Sequence, residues 1–390
     1  MTHPRPIEHT TSSREWAALI AFTSPHLSVE RVSATLDAPL DWSALLAQAE
    51  EHGVLPLMAA RLQKREFVPS VPEIRTQLEA WQRAQSIFTL SLSAHLFRAL
   101  DSLAAAGIEV LVTKGPVLSV RCYGASWLRQ YVDLDLIVRD KDIERVTQVM
   151  LQLRYEPTVS LGAVQAARIP GEYTFVNIDR KVVLEFHTER TLRYHPRPVP
   201  IDELFQRQTA VPVDGRNVPT PSLEDELVLI CVHGAKHFWE RLIWLADVAA
   251  LISAKQPPDW NRAMLAAREV GAERILLLGL CLASDVLGAQ LPAQLETSVQ
   301  SDRMVAKLAL QIQNRLASHE PREIGVIERA AFRMRMRGGL FAGAAYLLRL
   351  SLSPTEEDWA QGKEGNRTAF IDAVRRPLRL ARKHSRRSNN

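Results

Sequence analysis

Tyr131-Val132-Asp133-Leu134-Asp135-Leu136-Ile137-Val138 sets two aspartates two residues apart inside an otherwise apolar run of strand character. In a strand, successive side chains alternate between faces, so Asp133 and Asp135 share one face. Two carboxylates on one face of a buried strand cost free energy unless a positive charge lies between them. A divalent cation is a common solution, and Mg²⁺ held by carboxylates and substrate phosphates is a frequent form of it. The alternative is an edge strand whose aspartates face water. A two-residue motif alone does not decide between these readings.

Upstream, residues 108–113 form a β-branched run that breaks at Lys114-Gly115-Pro116, and residues 117–123 read as a short helix. A strand that ends in glycine and opens a helix lets phosphate approach the backbone at the positive end of the helix dipole. Downstream, a helix opens at Asp140 or Asp142 and runs to about Leu153. Residues 173–178 and 181–187 read as a hairpin around Asp179-Arg180. In its second arm Val183, Glu185 and His187 share one face, and Val182, Leu184 and Phe186 the other. If that arm lies beside residues 132–138, Glu185 completes a carboxylate triad with Asp133 and Asp135. Without a cation, such carboxylates repel and raise one another's pKa.

The flanks read as helix. Residues 41–51 and 77–105 carry apolar side chains at three- and four-residue spacing, with Asp41 as a cap and Gly107 as a stop. Past Pro196, Pro198 and Pro200 the chain returns to helix. Ser222 and Asp225 there form an acidic variant of the capping box, and helical patterns continue to about Ser351. His233 and His237 lie four residues apart on one helix face, a spacing shared by metal pairs and by ordinary packing. No Glu follows His233, which argues against a zinc protease. Asp247 reads as a cap or ion-pair residue. Trp239 and Trp244 read as core residues, with stacking on a base as the alternative. The expected layout is a helical lobe over 1–106, an α+β core over 107–200, a helical lobe over 201–372 and a basic tail over 373–390. The tail reads as a solvated end or, if functional, as a contact for a polyanion.

At 390 residues the chain exceeds a usual single domain, and 46% hydrophobic with 24% charged residues is the balance of a soluble globular protein. A net charge of +4 does not mark a polyanion binder, so nucleic acid is not the favoured partner. Cys122, Cys231 and Cys281 are few, odd in number and far apart, which points away from a disulfide framework and toward a reducing compartment. No apolar stretch approaches the ~18 residues of a membrane span, and no secretory signal is legible, so the expected location is the cytoplasm. A P-loop, a dinucleotide fingerprint and a G-x-S-x-G elbow are all missing from the sequence.

Taken together, Lys114-Gly115, the helix behind it, Arg129 ahead of Asp133-x-Asp135, and Glu185-x-His187 on a later strand resemble the nucleotidyltransferase superfamily. More narrowly, they resemble an uncharacterised bacterial family within it. That family runs as helical lobe, Lys-Gly, Arg-x-x-x-Asp-x-Asp, Glu-x-His, then a helical lobe rich in His and Asp. The likeness extends from about Trp16 to Ile252 and takes in His233, His237, Trp244 and Asp247. It implies an α+β, polymerase-β-like fold: a small mixed sheet with helices, flanked by N- and C-terminal helical lobes. It also implies a Mg²⁺-dependent enzyme that moves an NMP from an NTP, with ATP the expected donor, to an acceptor on a small molecule, peptide or protein, releasing pyrophosphate. By the same resemblance Asp133, Asp135 and Glu185 are the catalytic, metal-binding residues, and Lys114, Gly115, Arg129 and His187 bind the nucleotide. Pro116 departs from the commoner Gly-Ser and removes a hydroxyl and an N–H that would meet phosphate. Lys114 is a point-charge substitute. The spacing from Gly115 to Asp133 is also longer than usual. Two rival readings stand beside this one. One is a non-catalytic nucleotide-binding or scaffold protein of a biosynthetic assembly. The other is a kinase-like phosphotransferase on the same fold, releasing NDP.

Overall fold

The computed structural model describes residues 14–25, 39–63, 72–158, 172–188, 197, 199–318, 324–338 and 343–344. The basic tail at 373–390 and the end of the expected helical run at 345–351 lie outside the described residues. Ahead of the sheet come α1 (Arg14–Thr23), α2 (Trp42–Glu51), α3 (Leu55–Leu62) and α4 (Pro72–Ala105). Asp41 caps α2 by accepting the Ala44 N–H at 3.0 Å, as its position implies. Gly107, at φ +66°, closes α4. The Gly107 N–H donates to Ala104 O at 2.8 Å and the Ile108 N–H to Leu103 O at 2.9 Å, the paired bonds of a glycine-stopped helix.

The central sheet has the order β1-β2-β5-β4-β3. Its strands are β1 (Leu111–Thr113), β2 (Asp133–Ile137), β3 (Tyr155–Pro157), β4 (Glu172–Asn177) and β5 (Val183–His187). β2 and β5 run parallel, and the other neighbours are antiparallel. Helix α5 (Gly115–Tyr123) joins β1 to β2. A 3₁₀ turn (Asp140–Asp142) and α6 (Ile143–Gln152) lead from β2 to β3. β1 is shorter than the run from Ile108 suggests, because the Ile108 N–H is already committed to the end of α4. The β4–β5 hairpin is present, but its connection is wider than the two residues Asp179-Arg180. Lys181 takes φ +55°, where glycine is usual, and its N–H donates to Asn177 O at 2.8 Å.

Beyond the sheet lies α7 (Ile201–Gln206), followed by a second, two-stranded hairpin of β6 (Thr209–Val213) and β7 (Arg216–Thr220). This hairpin corrects the purely helical expectation for the region. Asp214 and Gly215 both take positive φ, +46° and +86°, as a two-residue hairpin turn requires. Ser93 and Ser126 donate to the two oxygens of Asp214 at 2.7 and 2.8 Å and tie the turn to α4 and to the segment after α5. Then follow α8 (Leu223–Lys236), α9 (Leu242–Ile252), α10 (Trp260–Glu269), α11 (Glu273–Leu287), α12 (Ala293–Ser301), α13 (Arg303–Leu316) and α14 (Val326–Arg335). Ser222 and Asp225 form the expected cap of α8, the Asp225 N–H donating to Ser222 Oγ at 3.1 Å.

The two faces of the sheet differ in kind. On one, Val112, Leu134, Leu136, Tyr173, Phe175, Leu184 and Phe186 pack with Leu96, Leu100 and Leu103 of α4 and Val146 and Met150 of α6. Burying each such side chain contributes roughly 1.5–3 kcal/mol. A one-residue slip would turn these residues to the other side, so the packing also fixes the register. That register puts Thr113, Asp133, Asp135, Glu172, Thr174, Glu185 and His187 together on the opposite face. A second apolar cluster includes Leu19, Phe22, Leu45 and Met58 from α1–α3 and Leu227, Leu245, Leu278 and Leu308 from α8, α9, α11 and α13. Helices from both ends of the chain thus share one core. The architecture is α+β, a small mixed sheet with helices before and after it.

Candidate active site

Asp135 is the centre of the polar face. It sits in the middle of β2, with Thr113 of β1 opposite it on one side and Glu185 of β5 on the other. Its Oδ1 accepts from Lys114 Nζ at 2.6 Å and lies 2.7 Å from His187 Nε2. Glu185 brings Oε2 to 3.9 Å from the same imidazole nitrogen. Ligand atoms of Asp135, Glu185 and His187 all lie within 4.8 Å of one another.

Lys114 reaches Asp135 because the chain turns sharply at the end of β1. Lys114 takes φ +53° and Gly115 φ +40°. A non-glycine residue held there costs on the order of 1–3 kcal/mol and persists only where its surroundings enforce it. Glu226, in the first turn of α8 and 1% exposed, supplies the enforcement. It accepts the Lys114 N–H at 3.0 Å, and both its oxygens lie 3.1 Å from the Thr113 hydroxyl. Gly115 then opens α5, with Pro116 in the first turn.

Burial alone would raise the Asp135 carboxyl. The Lys114 ammonium and the hydrogen-bonded His187 outweigh it and hold that carboxyl well below the usual range. Burial would likewise lower Lys114, but Asp135, joined by Asp133 and Glu185, lifts it, so the ammonium stays charged. Burial and the Asp135 charge push Glu185 up to about 7. The same two causes raise Asp133 against the opposing charges of Lys114 and Arg129. Carboxyls held up in this way are short of positive charge, and two carboxylates with an imidazole are a donor set that fits a divalent cation.

The Glu185 shift has a consequence for stability. Its native pKa of about 7 lies above the ordinary value of 4.5, so the native state keeps this proton over the interval between them. Its stabilising contribution is complete below the lower value and is lost as pH rises through the upper one. In EDTA the thermal midpoint is expected to fall between these pH values more steeply for the wild type than for Glu185→Gln. Superimposable profiles of the two proteins would remove Glu185 from the account.

The structure brings Asp135, Glu185, His187 and Lys114 together. Asp133 shares their face but stands outside the group of three whose ligand atoms converge. Same-face neighbours along a strand are ~6.6 Å apart, and the Asp135 charge is already met by Lys114 and His187. Arg129 is paired outside this group. Its Nε donates to Asp247 Oδ1 and Oδ2 at 3.2 and 3.0 Å, while the Tyr123 hydroxyl donates to Oδ1 at 2.8 Å. Both ends of this ion pair are buried, and a buried guanidinium has to be paired. His233, His237 and Trp244 form a trio of touching rings with centroids 4.8–5.5 Å apart, His233 meeting Trp244 edge-on and the other two pairs tilted. Burial, with help from Lys114, holds His233 well below its usual range, and burial lowers His237 to about 4. Neither belongs to a converging metal-ligand group among the described residues. Trp239 is fully buried core. Lys236, the last residue of α8, which carries His233 and is capped by His237, places Nζ 3.7 Å from Glu172 Oε1, so α8 lies along the polar face of the sheet.

A family model described as uncharacterised nucleotidyltransferase matches residues 38–288, more than half of the chain. The chain belongs to this nucleotidyltransferase family. The matched span holds every residue of the site, from Lys114 to Asp247. Membership implies a nucleoside triphosphate substrate and a transferase activity. Among solved structures, an antigenic nucleotidyltransferase-like protein from Paracoccidioides brasiliensis is similar at 14% identity, covering 54% of this chain and 94% of that one with a TM-score of 0.31. No curated protein matches. Among the described residues of this family member, no helix is long and apolar enough to cross a membrane.

Proposed function

We propose that the protein is a divalent-metal-dependent nucleotidyltransferase that moves an NMP from an NTP, with ATP the expected donor, to an acceptor and releases pyrophosphate. The convergence of Asp135, Glu185 and His187 within 4.8 Å, next to a charged lysine at the start of a helix, carries this reading. Asp135, Glu185 and His187 would hold the cation, with Asp133 on the same face as a further carboxylate. When bound, Mg²⁺ or a related ion neutralises triphosphate charge and lowers the pKa of the acceptor group.

The remaining roles fall to the chain itself. Lys114, kept charged by its carboxylate neighbours, is the point charge for phosphate oxygens and for the departing pyrophosphate. Gly115 presents backbone with no side chain in the way, at the positive end of the α5 dipole. Pro116 offers no N–H, which throws the phosphate contact onto Lys114. Glu185, on the face shared with Asp133 and Asp135, is the carboxylate placed to take a proton from the acceptor. Arg129 acts as a positioning residue through its pairing with Asp247.

The test is product identification by mass spectrometry, with each NTP, Mg²⁺ or Mn²⁺ in turn, and a pool of hydroxyl, phosphate and amine acceptors. Pyrophosphate together with a nucleotidylated acceptor is the expected outcome. Release of NDP would instead make the protein a phosphotransferase. Failure to turn over any triphosphate across the pool would sink the enzyme reading in favour of a nucleotide-binding scaffold.

A further inference from the structure

We infer that the site is built to favour a first-row transition cation over Mg²⁺, and that His187 sets this preference. The inference rests on reading the cluster as a divalent-metal centre and makes that reading more specific. Mg²⁺ keeps its waters and takes oxygen ligands in near-octahedral order, whereas an imidazole nitrogen is a ligand of first-row transition ions. Of the three groups whose ligand atoms converge, one is the imidazole of His187, and the carboxylate that would have made the set all-oxygen, Asp133, is outside it.

His187 is held in place. The strand β5 that carries it pairs on both sides, with β2 and with β4, and its side chain is only 12% exposed. Its Nε2 lies 2.7 Å from Asp135 Oδ1 and 3.9 Å from Glu185 Oε2, so the ring nitrogen addresses both carboxylates. Neutralising Asp135 does not require it, since Lys114 Nζ already lies 2.6 Å from the same oxygen. What the imidazole adds is a nitrogen donor. Mn²⁺ is the probe of this preference, because it shares the affinity of Mg²⁺ for carboxylate and phosphate oxygens and the nitrogen is then what separates the two ions. The cysteines lie outside the converging group, so no thiolate draws the preference toward softer ions.

The experiment uses the full chain, stripped with EDTA and free of nucleotide. Mn²⁺ binding is followed by the electron paramagnetic resonance of the free ion, with Mg²⁺ as competitor, for wild type, His187→Asn and His187→Gln. The ratio of Mn²⁺ to Mg²⁺ affinity is expected to fall about tenfold or more in both variants, the scale typical of disturbing a metal's surroundings. Pulsed spectra of the wild-type Mn²⁺ complex are expected to show coupling to an imidazole nitrogen, a readout that needs no variant to fold. Unchanged ratios without nitrogen coupling would overturn the inference and leave the metal centre intact. Failure of the wild type to bind either ion would overturn both this inference and the reading beneath it.

Discussion

Asp135→Asn is expected to lower the rate of pyrophosphate release by on the order of 10³-fold, at or above the loss from removing one preorganised electrostatic contact. The substitution keeps the shape of the side chain and an accepting oxygen but removes the charge. That charge does three things at once. It anchors Lys114 and His187 on a single oxygen, at 2.6 and 2.7 Å. It keeps the Lys114 ammonium charged inside the protein, where burial acts against it. It is also, after burial, the main reason that Glu185 titrates near neutrality. On the proposed function, the variant should therefore lose a metal ligand and a positioned phosphate contact together. Rates should be compared on protein whose circular dichroism matches the wild type. A variant retaining a tenth or more of wild-type turnover would place the chemistry elsewhere.

Arg129→Met is expected to destabilise the protein by about 3–5 kcal/mol, the scale for leaving one member of a buried ion pair without its partner. Asp247 has 1% of its side chain exposed and Arg129 has 7%, so water cannot take over the lost contact. Burial already raises the Asp247 carboxyl against the pull of Arg129 and Tyr123, and without the guanidinium it should take up a proton. Replacing both partners, Arg129→Met with Asp247→Leu, should recover much of the loss, because no buried charge is then left alone. Denaturant unfolding of the two single variants and the double variant measures this. A single-variant loss below about 1 kcal/mol, the scale of an exposed pair, would show that the pair is not desolvated as described. The backbone at Arg129 is held as well, its N–H donating to Ser119 Oγ at 3.0 Å. This segment leads directly into Asp133, so the single variants should also lose kcat more than they change KM.

The strands that carry the site were legible because their period is two. Leu134, Leu136, Leu184 and Phe186 alternate with Asp133, Asp135, Glu185 and His187, and the apolar set is the one buried against α4 and α6. The helix ends at Asp41, Gly107 and Ser222 were legible from local capping chemistry. What escaped depends on partners distant in sequence. Glu226 reads locally as an acid in the first turn of a helix, with nothing to indicate that it would meet Thr113 and Lys114 across more than a hundred residues. Arg129 carries a charge whose spacing suits a phosphate, and only the packing of α9 shows that Asp247 claims it. The β6–β7 hairpin had a strong local signal in Asp214-Gly215. Pro212 and Pro219 argue against strands, but in a two-stranded ribbon each strand has an edge on which proline is tolerated.

The carboxylate of Glu226 makes the site depend on a part of the chain well beyond Lys114-Gly115, Asp133-x-Asp135 and Glu185-x-His187. A fragment ending before residue 223 would carry Lys114-Gly115, Asp133-x-Asp135 and Glu185-x-His187 intact. It would lack the one group that accepts both the Lys114 N–H and the Thr113 hydroxyl, and the lysine turn would be free to relax to ordinary backbone angles. The signature is therefore not portable: transplanted without α8, it would keep its spelling and lose its shape.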